Sequence, residues 1–248
     1  MTSVALAGIT KVYGRGPNAV LALDGVSLTV APGEFVCLVG ASGCGKSTLL
    51  NLVAGLDRPT GGSVAIESGS VPGLMFQEPA LFPWLSVAAN IELPMKLAGV
   101  PRADRRSRVA ALLNTVHLGE FGDRQPHELS GGMRQRAALA RTLALDTPVL
   151  LMDEPFGALD AMTRDLLHDE LERIWSERRL TVVFVTHNVR EAARLADRIV
   201  LLSSRPGRVI SETVVDVPRP RRIDSPDVAA VAAQVTEQLR KEVGRHGQ

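Results

Sequence analysis

The 248-residue chain is as informative in what it lacks as in what it holds. No apolar run approaches the ~20 residues that cross a bilayer as a helix. The opening residues (MTSVALAGITKVYG) show neither the basic start nor the small-residue cleavage site of a secretory leader. The chain is therefore expected in the cytosol, and work at a membrane would need a separate anchor. Cysteine is scarce: Cys37 and Cys44 are alone. That excludes a disulfide-stapled secreted scaffold and a cysteine-built metal site. Both are expected to pack in or near the core, with Cys44 open to alkylating reagents. Net charge is nearly absent, 28 basic residues against 27 acidic, which argues against a protein built to grip nucleic acid. Lysine occurs only at positions 11, 46, 96 and 241, and Tyr13 is the single tyrosine. What is plentiful is apolar side chain, 45% of the composition, enough for a core in one large domain or a domain with a subdomain.

Against that background one run carries most of the chemistry. Gly40–Ala41–Ser42–Gly43–Cys44–Gly45–Lys46–Ser47 fits the phosphate-binding loop G-x-x-x-x-G-K-[ST], and Thr48 follows in the next helix. Glycines let successive backbone N–H groups turn inward around phosphates. Lys46 adds a point charge at the β/γ-phosphates, and the Ser47 hydroxyl is a ligand for Mg²⁺. The frame agrees: Phe35–Val39 (FVCLV) reads as a buried strand and Ser47–Ala54 (STLLNLVA) as a helix. The ligand class is a nucleoside triphosphate with Mg²⁺.

Along the chain, residues 1–35 alternate apolar and polar positions between Gly/Pro breaks, as antiparallel strands do. Short strands are expected near Ser63–Glu67 and at Gly73–Gln77 (GLMFQ). From Glu78 to about Ala144 helical spacing takes over, punctuated by Pro83, Pro94 and Pro101. The sheet returns at Val149–Met152 and again at Thr181–Thr186 (TVVFVT). Between them Met162–Arg179 reads as an amphipathic helix with Met162, Leu166, Leu171, Ile174 and Trp175 on its apolar side. Ile199–Ser203 and Val209–Val215 read as a hairpin around Arg205–Pro206–Gly207–Arg208. A last helix carries Val228, Val231, Val235 and Leu239. The fold class is α/β, of the phosphate-loop NTPase type, with an antiparallel β subdomain and a helical subdomain. The expected division is one ATPase domain over 1–217, with the helical insert at about 78–145, and a short C-terminal segment over 218–248.

Two further runs extend the site. Val149–Met152 is followed by Asp153 and Glu154, so a buried strand delivers one carboxylate beside the metal held by Ser47. The next carboxylate reaches a water in line with the γ-phosphate. Leu129–Ser130–Gly131–Gly132–Met133–Arg134–Gln135–Arg136 exposes backbone N–H groups at a helix start, a second anion cradle. One site does not need two cradles, so the second is expected to serve a partner copy. A plain Ser N-cap with a flexible Gly pair is the other reading.

The combination of the phosphate loop, LSGGMRQR and a hydrophobic-DE strand resembles the ATP-binding-cassette (ABC) ATPases, over about Val4 to Val215. The resemblance implies roles for further residues. Tyr13 matches the aromatic that stacks on adenine, though it could also be a strand core residue. Gln77 matches the glutamine that contacts Mg²⁺ and water and senses a membrane partner. Phe156–Gly157–Ala158–Leu159–Asp160 resembles the loop that links two sites across a dimer. His187 matches the switch histidine near the γ-phosphate; His117, His127, His168 and His246 are expected to be surface or structural. The site set is thus Glu154, His187, Lys46 and Gln77 for catalysis. Tyr13, Gly40 to Thr48, Ser130 to Gly132 and Asp160 hold nucleotide, and Ser47, Gln77 and Asp153 hold metal.

LFPWLSVAANIELPMKLAGV and SSRPGRV look like ATPase subunits of nitrate, sulfonate and taurine importers. That likeness implies a homodimer on the cytoplasmic face of the membrane, with a permease, an indirect solute-binding protein and no nucleic-acid partner. Leu81, Phe82 and Trp84 either form a groove for a permease helix or simply pack the insert. The segment between Glu67 and Gln77 is shorter than in many relatives, which leaves the subfamily less defined. A soluble non-transport ABC ATPase acting on nucleic acid or the ribosome is the alternative. A small-molecule kinase would leave LSGGMRQR without a role.

Overall fold

A computed structural model describes residues 2–67, 69–157 and 159–246, the last two by backbone alone. The described elements run β1 (Val4–Tyr13), β2 (Val20–Val30), β3 (Phe35–Val39), α1 (Lys46–Val53), β4 (Gly61–Ile66), β5 (Gly73–Met75), α2 (Val87–Leu97), α3 (Arg102–Thr115) and α4 (Gly131–Leu143). They continue as β6 (Val149–Asp153), α5 (Ala161–Arg178), β7 (Thr181–Val185), α6 (Val189–Leu195), β8 (Arg198–Leu202), β9 (Val209–Val214) and α7 (Pro226–His246).

The larger sheet has the order β5-β6-β7-β3-β8-β9, parallel except for β9, which returns antiparallel beside β8. Every residue of β3 and β7 is buried. Alternate side chains explain why these strands read as unbroken apolar runs. Phe35, Cys37, Val182, Phe184 and Met152 join the core under the helices, while Val36, Leu38, Val183, Val185 and Leu151 join the core shared with α1 and the second sheet. That second sheet is antiparallel, in the order β2-β1-β4.

Parallel pairing has one consequence for function. The segments leaving β5, β6, β7, β3 and β8 emerge at a single edge. Strand β3 lies between β7 and β8, neither adjacent to it in sequence, so the chain divides there and opens a crevice.

Two local readings are revised. In α5 the buried face is Leu167, His168, Leu171 and Ile174; Met162 and Leu166 are exposed, at 77% and 55%. The packed row is the 167, 171, 174 series, and the two exposed residues lie on the opposite row. Pro94 does not separate elements but sits in the last turn of α2. Asn90, wholly buried on α2, instead organises the preceding turn: its amide donates to Phe82 O and Leu85 O (both 3.1 Å) and its Oδ1 accepts from Phe82 N–H (2.8 Å). Helix α7 forms where a last helix was expected, and Val228, Ala232 and Val235 enter the main core. Arg221 fastens its approach by donating to Ala196 O (2.5 Å) and Val215 O (3.0 Å).

Candidate active site

The floor of the crevice is the loop between β3 and α1. Gly45 caps α1 in a left-handed conformation (φ 104°) without a side-chain cap, which leaves the first-turn N–H groups free for an anion. A Cβ there would sit 2.7 Å from Leu23 Cδ2. One on Gly40 would sit 2.8 Å from Cys44 Sγ and 3.0 Å from Leu202 O. Both positions therefore demand glycine, one for conformation and space and one for space alone. Lys46 is buried, and its Nζ donates to Gly40 O (2.9 Å) and Ala41 O (3.0 Å), which fixes the ammonium inside the loop. Cys44 is 1% exposed, so its expected openness to alkylation is corrected: the thiol is spent inside the loop, beside Lys46 Nζ.

Over this floor stand two carboxylates of different character. Asp153, the last residue of β6, accepts a hydrogen bond from Ser47. Burial pushes its carboxyl above the usual range, the Ser47 hydrogen bond opposes that, and the neighbouring Glu154 charge adds to it. Glu154 takes a left-handed backbone (φ 44°), a conformation that costs a non-glycine residue about 1–3 kcal/mol. Its N–H donates to Val185 O (2.9 Å), tying the turn to β7. The turn brings Glu154 Oε2 to 2.9 Å from Nδ1 of His187, which is about two-thirds exposed at the mouth. An ionised Glu154 places the imidazole proton on Nδ1 and leaves Nε2 free.

Behind His187 lies a buried polar relay that no motif announced. Thr186 donates to Glu191 Oε2 and accepts from Asn188 N–H (3.0 Å). Glu191 Oε1 lies 2.7 Å from His168 Nε2, and Arg194 Nη1 donates to His168 Nδ1 at 2.9 Å. Arg194 also pairs with Asp169. Because Arg194 can only donate, Nδ1 accepts and the His168 proton sits on Nε2, facing Glu191. His168, expected at the surface or structural, is structural: it is wholly buried and joins α5 to the segment that carries His187.

The crevice has a volume of about 450 Å³, within the range of small-ligand sites. Tyr13, Ser42, Gly43, Gly45, Lys46, Ser47, Thr48, Gln77 and Glu154 line it together. Tyr13 is not a core residue. It is 41% exposed, its hydroxyl donates to Asp57 Oδ2 (3.2 Å), and Lys11 Nζ lies 4.8 Å from its ring centroid and 2.6 Å from Asp57 Oδ1. Those contacts hold the ring at the rim. Gln77, just beyond β5, is exposed, and its carbonyl accepts from Gln135 Nε2 of α4 at 3.0 Å.

Two predicted runs lie away from the crevice. Ser130 caps α4 by accepting Met133 N–H (3.2 Å), and Asp160 caps α5 by accepting Thr163 N–H (2.9 Å), which holds its carboxyl below the usual range. A Cβ on Gly132 would stand 3.3 Å from Leu159 Cδ2, so the 130–132 and 156–160 runs share one surface. Ala158 of the second run lies outside the described residues. Three lining residues carried no motif role: Val20, Ala22 and Arg205.

A family profile described as ABC transporter matches residues 23–157, more than half of the chain. The chain belongs to the ABC transporter family. Among this ABC protein's relatives is the aliphatic sulfonates import ATP-binding protein SsuB of Rhodopseudomonas palustris, 45% identical over 90% of the chain and 79% of the relative. Another is the nitrate import ATP-binding protein NrtD of Synechocystis, 44% identical over 85% of the chain and 81% of the relative. Among solved structures, the dimeric cassette MJ0796 of a bacterial ABC transporter superposes with a TM-score of 0.77 at 36% identity, over 87% of this chain and all of that one. The same cassette in a post-hydrolysis state with ADP and Pi gives 0.77 at 35%, with the same shares covered. ABC ATP-binding proteins hydrolyse ATP to power transport, and this chain is an ATPase of that type. Among the described residues no helix of this ABC ATPase is long and apolar enough to cross a membrane.

Proposed function

We propose that the chain is the ATP-hydrolysing subunit of an importer for a small anionic solute of the nitrate or sulfonate kind, working as a homodimer on the cytoplasmic face of the membrane. The relatives that import nitrate and aliphatic sulfonates support the solute class. The observation that carries the enzymatic reading is the meeting of Lys46, Ser47, Gln77 and Glu154 in one crevice, with Asp153 bonded to Ser47 and His187 to Glu154.

ATP lies with its phosphates on residues 40–48 and its adenine against Tyr13. Ser47, Asp153 and Gln77 offer oxygen donors of the kind Mg²⁺ takes, and Ser47 and Asp153 are already within hydrogen-bonding reach of each other. Mg²⁺, when bound, neutralises charge on the phosphate oxygens. Glu154 orients and polarises the attacking water, and His187, steered by Glu154, faces the γ-phosphate with Nε2. Catalysis is positioning and electrostatics, on groups whose supports are fixed before substrate arrives.

Ser130, Gly131 and Gly132 serve the second copy's nucleotide, with Asp160 beside the same junction. Their distance from the chain's own crevice supports that assignment. Residues 1–217 then act as the ATPase domain, the insert at about 78–145 as its helical arm, and 218–248 as a docked C-terminal segment. The permease contact is the turn after Gln77. There Trp84 is 70% exposed and its ring centroid lies 5.4 Å from that of Phe82, which favours the groove reading over simple packing. The solute-binding protein reaches this subunit only through the permease, and nucleic acid is no partner.

The test is Glu154→Gln, assayed for turnover and for ATP-dependent dimerisation by size-exclusion chromatography. Hydrolysis falls by ~10²–10⁴-fold and an ATP-bound dimer accumulates. A variant that stays monomeric at saturating ATP and still hydrolyses it refutes both the role of Glu154 and the two-copy site.

A further inference from the structure

Arg205 belongs to none of the runs that define the site, yet it stands in the crevice with Lys46, Ser47 and Thr48. It leaves the parallel sheet after β8, on the side of the phosphate loop opposite to β7 and His187. Its guanidinium Nη2 is 3.9 Å from the point a Cβ on Gly43 would occupy, so the charge hangs over the middle of the loop. The side chain is exposed and has no hydrogen bond or ion pair with any described residue. The other arginine of the same turn is committed: Arg208 Nε donates to Asp24 Oδ2 at 2.9 Å.

The backbone that carries Arg205 is held firmly. Ser203 N–H donates to Arg208 O (2.8 Å), Ser203 Oγ donates to Pro206 O (2.7 Å), and Arg208 N–H donates to Ser203 Oγ (2.8 Å). Gly207 N–H donates to Ala22 O (2.9 Å) and Gly207 O accepts from Asp24 N–H (3.0 Å), which docks the turn on β2. Gly207 also lies directly on the phosphate loop, where a Cβ would fall 2.2 Å from Cys44 O. A short, rigid turn seated on the phosphate loop, with one arginine tied down and one left over the loop, is the geometry of a preorganised anion contact.

We propose that Arg205 is a further nucleotide-binding residue, a second cation beside Lys46 that contacts the phosphate chain of ATP. The proposal rests on the reading of the crevice as the ATP site. Lys46 is buried under the loop and acts from within, whereas Arg205 is exposed and closes over the phosphates from the rim. Because the contact is charge-assisted yet solvent-accessible, it contributes about tenfold in affinity and weakens as salt rises.

The test uses the full chain and ATP without added metal, so that binding is read without turnover. Wild type, Arg205→Gln, Arg205→Lys and Lys46→Ala are titrated by calorimetry at low and at high salt. Arg205→Gln is expected to weaken ATP about tenfold, Arg205→Lys to recover part of the loss, and the gap to narrow at high salt. The nucleotide-free melting temperature stays at the wild-type value because the side chain has no partner to lose among the described residues. Lys46→Ala loses binding. If Arg205→Gln binds ATP like wild type while Lys46→Ala does not, the proposal is overturned and the crevice remains the ATP site. If Lys46→Ala also binds normally, the site reading itself fails and takes the proposal with it. Unchanged affinity with weakened dimerisation in Arg205→Gln overturns it as well, since the residue would then be an interface contact.

Discussion

Gly207→Ala should damage the phosphate loop from a position about 160 residues downstream of it in the chain. The added methyl would fall 2.2 Å from Cys44 O, 3.0 Å from Leu23 Cδ2 and 3.4 Å from Ala22 O. The first contact is roughly 1 Å inside van der Waals range and is made to backbone, so no rotamer change relieves it. Gly207 cannot retreat freely, because both its N–H and its C=O are bonded to β2. The strain therefore passes to Cys44 and the loop around Lys46. Overpacking of this kind costs about 1–3 kcal/mol, and in a chain of this size each kcal/mol is worth ~2–4 °C, so the melting temperature drops by about 2–12 °C. The functional loss is larger in proportion. A displacement near 1 Å in a positioning element can cost ~10²-fold in turnover. Thermal melting, ATP titration and steady-state hydrolysis read the three consequences together. Gly244→Ala is the comparison: that glycine lies in α7 with nothing within 4 Å of its Cβ position, so the substitution is neutral or stabilising by a few tenths of a kcal/mol. A Gly207→Ala protein with wild-type melting, affinity and turnover would refute the steric argument, and with it the claim that this turn is seated on the loop.

Four other outcomes follow from particular contacts. Asp153→Asn should abolish Mg²⁺-dependent hydrolysis yet raise the nucleotide-free melting temperature at neutral pH. The sign follows from burial raising the folded-state pKa: the ionised carboxylate weakens the fold, a cost absent below the unfolded pKa and complete once pH passes the raised folded value. In wild type, melting should accordingly improve on mild acidification where Asp153 dominates, and the asparagine variant should lack that component. Cys37 and Cys44, 0% and 1% exposed, should resist thiol reagents in the native chain and react on unfolding, and raising the pH should not help at Cys37, whose thiol burial pushes well up. Glu191→Ala should cost roughly 2–6 kcal/mol, about 1–3 for each of His168 and Thr186 left without an acceptor in the interior, with Glu191→Gln milder; equal melting of the two variants would contradict the relay. Arg141→Ala should free the carbonyls of Pro79 and Ala80, which it holds at 2.9 and 2.6 Å, and lower permease-stimulated turnover while leaving basal hydrolysis near wild type.

Sequence patterns pointed to those residues of the crevice that fall in consecutive runs. Gly40 to Thr48 could be read because a phosphate cradle needs glycine, lysine and serine at fixed spacing, and Asp153 and Glu154 because a buried strand that ends in acids is conspicuous. The parallel sheet was legible for the same reason, as strands covered on both faces are apolar throughout. What escaped depends on long-range packing. Arg205 enters the crevice only because β8 pairs with β3, and pairing order is not written in any local run. His168 becomes buried because α5 turns its 167, 171, 174 row inward, whereas the apolar Met162 and Leu166 suggested another face. Cys44 is buried, as expected, but its place in a loop also suggested access for alkylating reagents, and packing against Gly40 and Lys46 removes that access.

Helix α4 gives the scattered parts a mechanical relation. Its N-terminus is Ser130, the cap assigned to the second copy's nucleotide. Five residues further, Gln135 holds the carbonyl of Gln77, and six residues beyond that Arg141 grips Pro79 and Ala80. A thirteen-residue helix with a buried apolar side moves as a rod, so a force on Ser130 arrives at the segment after β5 without needing a chain of small adjustments. That segment leads into the turn organised by Asn90, where Phe82 and Trp84 face outward. On the proposed reading, the phosphate contact at one end and the exposed aromatic pair near the other are linked through α4 and its bonds to the segment after β5. Coupling in such an arrangement needs only that ATP change where α4 stands relative to the parallel sheet, and Arg141 is the bond whose loss should separate hydrolysis from that motion.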